Sequence, residues 1–129
     1  MGNIRNVLIV DDSESMRFAV QATLESAGLN VQAASNGLEA LDLAKKGIFD
    51  LVITDINMPK MDGYQLIENL RKLKAFKFTP ILTLTTQSDN TSKQKAKEIG
   101  ATGWIVKPFS PPQLIKILTK LVEPESQVA

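Results

Sequence analysis

Apolar, β-branched runs recur along the chain at 7–10, near 31–34, at 51–53, at 81–84 and at 104–106. Each is short and continuous rather than alternating, as expected of a strand covered on both faces. The pattern predicts five short buried strands. Between them the apolar positions take helical spacing. From 13 to 27, Met16, Val20, Thr23, Leu24 and Ala27 fall on one face, with Gly28 as the stop. A second helix begins at Asn36, with Glu39 as its capping partner, and is expected to turn Leu38, Leu41 and Ala44 inward before Gly47. A third follows Asp62 and Gln65, with Leu66, Ile67 and Leu70 as its buried stripe. The last opens at Ser110, with Pro111 in the first helical position and Gln113 completing the box.

The fourth helical stretch, 89–99, is different. Only Ala96 and Ile99 are apolar there, beside Lys93, Lys95 and Lys97, so it is expected to be the least firmly anchored helix. Strict alternation of strand and helix implies a parallel sheet with right-handed crossovers and helices on both faces. The predicted class is therefore α/β, doubly wound, with five strands and five helices. No repeat, low-complexity tract or linker interrupts it. Residues 1–129 read as one domain, with a core over about 5–122 and a frayed tail at 123–129.

Composition narrows the chemistry. The chain has 129 residues, no cysteine and no histidine. Disulfides, thiolate metal sites and thiol nucleophiles are excluded, and zinc is disfavoured. A net charge of +1 gives no field for nucleic acid or an anionic membrane, and no apolar run approaches a membrane span or signal core. These features predict a cytoplasmic monomer that binds neither nucleic acid nor membrane. Asn90-Thr91-Ser92 fits a glycosylation sequon, but a three-residue match carries no weight in such a chain.

The chemistry-bearing residues stand where the strands end. Asp11 and Asp12 follow the first run, Asp55 the third, and Lys107 the fifth, while Thr85 ends the fourth. In open α/β sheets ligands bind at the carboxyl ends of the strands, so these residues are expected to converge. Carboxylates crowded in a low-dielectric crevice repel one another unless a cation compensates. A hard divalent cation such as Mg2+ or Mn2+ suits them, because it takes one or two carboxylates, keeps waters and leaves room for a phosphate oxygen. Asp55 is the candidate nucleophile for a phosphoryl group, and the backbone carbonyl of Asn57 could complete the metal shell. Lys107 could pair with a carboxylate or with phosphoryl oxygens, and Thr85 offers a hydroxyl. Each residue alone has a plain reading, as a helix cap, a turn former, a solvated lysine or a strand threonine. Their joint placement at strand ends favours a site.

Asp11-Asp12, the segment from Asp55 through Asn57-Met58-Pro59-Lys60-Met61-Asp62-Gly63, Thr85-Thr86 and Lys107-Pro108-Phe109 together resemble a response-regulator receiver domain, from about Val7 to Leu121. Within that family the chain is most similar to single-domain chemotaxis regulators. The resemblance implies a flavodoxin-like strand order of 2-1-3-4-5 and a cis peptide between Lys107 and Pro108. It implies that Asp55 receives a phosphoryl group from a phosphohistidine on a sensor histidine kinase, with Asp12 and Asp55 as metal ligands and Asp11 assisting. Lys107 would bind the phosphoryl group and Thr85 would move toward it. Trp104, where the family carries an aromatic, would fill the space behind Thr85 and remodel the surface of the fourth helix, fifth strand and fifth helix.

The resemblance also implies that Asn57 and Gln87 occupy the positions that tune attack of water on the acyl phosphate. Both are amides and cannot act as bases, so slow self-dephosphorylation and help from a separate phosphatase are expected. The implied output partner is a flagellar motor switch protein, with a non-motor partner or a phosphate sink in a phosphorelay as the alternative. Such a chain is a signalling domain that assists its own phosphorylation, not a turnover enzyme. A haloacid-dehalogenase-type phosphatase would need a second Asp at position 57, which holds Asn. A flavin-binding module would need hydroxyls and amides in the first loop, where Asp11-Asp12 would repel phosphate. A receiver without phosphoryl control is disfavoured by the full set of site residues.

Overall fold

A computed structural model describes residues 2–121. Five strands, β1 (Asn6–Val10), β2 (Asn30–Ala34), β3 (Leu51–Thr54), β4 (Ile81–Thr85) and β5 (Gly103–Val106), alternate with five helices, α1 (Glu14–Ser26), α2 (Gly37–Lys46), α3 (Gly63–Lys72), α4 (Asn90–Glu98) and α5 (Pro111–Leu121). The strands form one parallel sheet in the order β2-β1-β3-β4-β5. The fold is thus the doubly wound α/β architecture that the sequence pattern predicts. The proposed tail at 123–129 lies outside the described residues.

Strand alternation divides the core in two. Val7 and Ile9 of β1 join Leu82, Leu84 and Ile105 beneath Val20 and Leu24 of α1 and Leu114 and Leu118 of α5. Leu8 and Val10 face the other way, against Ala40 and Ala44 of α2 and Leu66, Ile67 and Leu70 of α3. Each fully buried Leu or Ile contributes about 1.5–3 kcal/mol relative to an exposed one, so both faces of the sheet are strongly held. The α4 helix contributes one fully buried side chain, Ala96. Its polar composition had marked it as the weakly packed helix.

The expected cap residues are in place, although the box at Asn36 has one arm only, the Glu39 carboxylate accepting instead from the Ser35 hydroxyl at 3.2 Å. Ser13, Asn36, Asp62 and Asp89 each accept a backbone N–H three residues on, and Asp62 with Gln65 forms a closed capping box. At Ser110 one arm forms, with Gln113 N–H donating to the hydroxyl. The expected inward set of α2 needs correction. Leu38 is 50% exposed, whereas Ala40 and Ala44 are buried. Gly37 packs so tightly on Met61 that a Cβ there would lie 2.6 Å from the Met61 carbonyl oxygen, which sets the helix on its small residues and turns Leu38 outward.

One short element was not foreseen. A 3-10 turn, η1 (Lys74–Phe76), follows α3 and buries Phe76. Arg71 ties this region together, donating to the carbonyls of Phe76 and Thr79 at 2.6 Å each and to Gly100 at 2.7 Å. Leu70, Leu73 and Phe76 stand three residues apart, but the turn is a single one and too short for that spacing to mark it as an element of its own.

The register sets the height of the loops. Val10 pairs with Thr54, so Asp11 and Asp55 leave their strands side by side. Asp55 N–H continues the ladder to the Val10 carbonyl at 2.8 Å. Thr85 pairs with Val106, which places Lys107 one residue beyond it, its N–H donating to the Thr85 carbonyl at 2.7 Å.

Gly63 fixes how closely α3 approaches this end of the sheet. Its N–H donates to the Ile56 carbonyl at 2.8 Å, and a Cβ would collide with the Asp55 carbonyl oxygen and lie 2.8 Å from Ile56 Cα. Both obstacles are backbone and cannot yield without moving the Asp55 loop. Gly63→Ala is expected to cost about 1–3 kcal/mol, the usual range for overpacking, measured by urea denaturation. Wild-type stability in that variant would show that the loop is not pinned there.

Candidate functional site

Three carboxylates meet at the carboxyl end of the sheet. Oxygens of Asp11, Asp12 and Asp55 lie within 4.8 Å of one another. Asp11 and Asp55 are buried, at 5% and 7% exposure, while Asp12 is exposed. The Lys107 ammonium bridges the buried pair, donating to Asp11 Oδ2 at 2.7 Å and to Asp55 Oδ2 at 3.1 Å. One lysine against three carboxylates leaves the cluster net negative. It has only oxygen donors and opens to solvent at Asp12, a donor set that fits a hard divalent cation.

The loops hold these groups through backbone bonds. Asp11 Oδ1 accepts the Ser13 N–H at 2.9 Å, and Asp55 Oδ1 accepts the Ile56 N–H at 2.7 Å. Ser13, not either aspartate, caps α1, so neither the Asp11 nor the Asp12 carboxylate is spent on the helix start. The peptide between Lys107 and Pro108 is cis.

The electrostatics of the pair are unequal. Burial first, and the charge of Asp11 second, hold the Asp55 carboxyl above its usual 3.8, against the pull of Lys107 and the Ile56 N–H. Burial pulls the Lys107 ammonium down. Its hydrogen bond to Asp11 and the charges of Asp55 and Asp11 outweigh burial and leave it above its usual 10.5. Asp55 therefore holds its proton more firmly than a solvated carboxyl does, despite its bond to Lys107.

A stability prediction follows from the sign of that shift. The folded state binds the Asp55 proton more tightly than the unfolded chain does, so this group's contribution to stability falls as pH rises from the unfolded value through the folded one. Asp55→Asn keeps the shape and removes the charge. It is expected to melt above wild type near pH 7 and to lose that margin progressively as pH falls through the raised range of the wild-type carboxyl. Thermal melts at both pH values check this, and a margin independent of pH would contradict it.

The remaining expected residues surround the cluster. Thr85 is fully buried, and its hydroxyl accepts the Gln87 N–H at 3.3 Å. Trp104 is half-buried, its indole N–H donating to the Gln87 carbonyl at 2.9 Å. Gln87 is thus bonded both to the strand-end threonine and to the aromatic residue. Its side-chain oxygen is buried without a hydrogen-bond partner among the described residues. Asn57 is exposed on the loop after β3. Three residues on, Lys60 sits at φ 71°, and Met61 N–H donates to the Pro59 carbonyl at 2.8 Å. A non-glycine residue at positive φ in a turn this tight is strained, and such strain gathers at functional loops. Nothing in the residue type of Lys60 announces it.

The sequence reading also missed Arg17. From the second turn of α1 its guanidinium donates to the Asp11 backbone carbonyl at 2.7 Å. An arginine on a half-exposed helix face reads as solvated, and only the fold brings it to the first loop.

Comparison with known proteins agrees with this geometry. The family model described as the response regulator receiver domain matches residues 7–119. Chemotaxis protein CheY-3 of Vibrio cholerae is 42% identical over 118 residues, which cover 91% of this chain and 91% of that protein. A probable transcriptional regulator, ycf29 of Porphyra purpurea, is 38% identical over 94% of this chain, and the match spans 58% of the relative's own length. Among solved structures, chemotaxis protein CheY4 of Vibrio cholerae superposes with a TM-score of 0.87 at 48% identity, covering 91% of this chain and 98% of that one.

Proposed function

Because the chain belongs to the response regulator receiver domain family, we propose that it accepts one phosphoryl group on Asp55 from a histidine kinase and thereby switches a binding surface. The observation that carries this reading is the Lys107 bridge between Asp11 and Asp55 beside the exposed Asp12. An oxygen of Asp55 attacks phosphorus, the phosphorus–nitrogen bond of the donor phosphohistidine breaks, and the leaving imidazole keeps that electron pair and takes a proton. Asp12 and Asp55, with Asp11 assisting and together with the Asn57 backbone carbonyl, would hold Mg2+ or Mn2+, and that cation would supply charge neutralisation for the incoming group. Lys107 exchanges its bond to Asp55 for one to a phosphoryl oxygen, a stronger partner because the group carries about two charges.

Thr85 and Trp104 carry the signal outward. The phosphoryl oxygens draw the Thr85 hydroxyl away from the Gln87 N–H, and the residue bonded to Trp104 moves with it. The weakly packed α4, with β5 and α5, is the surface that changes. Asn57 and Gln87 flank the acyl phosphate without a general base, which favours slow self-dephosphorylation and a separate phosphatase. Likeness to chemotaxis proteins supports a kinase of the chemotaxis type and a flagellar motor switch protein as output partner. Among the described residues no helix is long and apolar enough to cross a membrane; the likeness to chemotaxis regulators supports a cytoplasmic role as a monomer.

Thr85→Ala tests the switch separately from the chemistry. Trp104 is the chain's one tryptophan, so its fluorescence reports on this residue alone. Wild type treated with beryllofluoride and Mg2+ is expected to change its Trp104 emission. Thr85→Ala is expected to take up phosphoryl at a rate within about tenfold of wild type, the loss of one hydrogen bond, with little change in emission. An equal emission change in both proteins would remove Thr85 from the switch.

A further inference from the structure

We propose that Arg17 is a positioning residue for the cation site, acting through the peptide that joins Asp11 to Asp12. The inference rests on the reading of the acidic cluster as a metal site. Every polar group of Asp11 is committed: its N–H to the Ala34 carbonyl at 3.1 Å, one carboxylate oxygen to the Ser13 N–H, the other to Lys107, and its carbonyl to Arg17 Nη1 at 2.7 Å. The last bond matters for the next residue. A peptide unit is planar, so fixing the Asp11 carbonyl fixes the plane that carries the Asp12 N–H and Cα, and the Ser13 N–H bond to Asp11 Oδ1 on the far side of residue 12 limits the remaining backbone rotation that aims its side chain. Asp12 is the exposed member of the cluster. No lysine holds its carboxylate as Lys107 holds the other two, so its aim comes from the backbone. Arg17 also lines a narrow cavity together with Asp11, Asp55, Ile53 and Leu84, and its side chain is partly buried.

Charge and position predict opposite results here, which makes the proposal decidable. Arg17 is a cation beside a cation site, so by charge alone its removal should tighten divalent binding. By position its removal should weaken binding, because groups that orient metal ligands typically contribute ten- to a hundredfold in affinity. Arg17→Met keeps the apolar stem and loses both the charge and the donor. Arg17→Lys keeps the charge and replaces the planar fork with a single ammonium.

Titration of 15N-labelled protein with MgCl2, followed through the backbone amide shifts of residues 11–13 and 55–56, gives the affinity and shows in the same spectra that each variant is folded. Mg2+ affinity is expected to fall about tenfold in Arg17→Met and severalfold in Arg17→Lys. Affinity in Arg17→Met equal to or tighter than wild type would overturn the proposal. Should that variant not fold, wild-type affinity in Arg17→Lys would overturn it. Wild-type protein that binds no Mg2+ would instead refute the metal reading itself, an outcome distinct from either.

Discussion

Asp55→Asn is expected to abolish phosphoryl uptake, lowering its rate by about four orders of magnitude or more, as removal of a nucleophile does. A neutral amide oxygen has little of the nucleophilicity of a carboxylate that burial and Asp11 have made more basic than usual. The substitution also removes one of the three carboxylates of the cluster, so a divalent cation would be held less well there. Misfolding cannot account for the loss, because the same substitution is expected to raise the melting temperature near neutral pH. Incubation of the variant with acetyl phosphate and Mg2+, read by mass, checks this. A single adduct on the variant would show that Asp11 or Asp12 accepts the group and would reassign the nucleophile.

Lys107→Met is expected to have the largest effect on stability. The lysine is the cation that joins Asp11 and Asp55, and its side chain is 12% exposed in a crevice where theirs are 7% and 10% exposed. Removing one partner of such an arrangement leaves buried carboxylates facing each other. The cost is about 2–4 kcal/mol, toward the low side for buried pairs because the crevice opens to water at Asp12. The loss should shrink as pH falls and the carboxyl of Asp55, already raised, takes up its proton. Mg2+ should restore part of it, since a divalent ion supplies the missing charge. Phosphoryl uptake should fall about 10²–10³-fold even at saturating Mg2+, the usual loss for one group aimed at developing charge. Urea denaturation with and without Mg2+ decides the stability claim. An unchanged midpoint would mean that the two carboxylates do not depend on Lys107.

What the chain reveals in sequence is whatever follows from local spacing. The apolar runs locate the central strands β1, β3 and β4 because both sheet faces are covered there, whereas the edge strands β2 and β5 are partly exposed and not buried as expected. Ser13, Asn36, Asp62 and Asp89 locate helix starts because capping is a bond between near neighbours. Asp11, Asp12, Asp55 and Lys107 were legible for a different reason. Each ends an apolar run, and the doubly wound fold gathers strand ends. What spacing does not contain is how closely two elements approach. Gly37 lets α2 settle on Met61, which buries Ala40 and leaves Leu38 outside, against the expectation from hydrophobicity alone. Phe76 is buried by a turn too short to have a period. Arg17, Arg71 and Lys60 act through backbone carbonyls or through their own dihedral angle, and no residue-type signal marks such bonds. The link from Thr85 through Gln87 to Trp104 is of this kind as well. The three residues stand out singly in the sequence, but the bonds that join them come from β4 and β5 lying side by side.

The most direct test of the account is the intact mass of the wild-type protein after incubation with acetyl phosphate, with Mg2+ and with the metal chelated. Addition of one phosphoryl group that requires the metal, localised to Asp55, is the predicted result. No addition under conditions where Mg2+ binding is demonstrated, or addition that proceeds equally well without metal, would contradict the claim that this cluster is a metal-assisted phosphoryl acceptor.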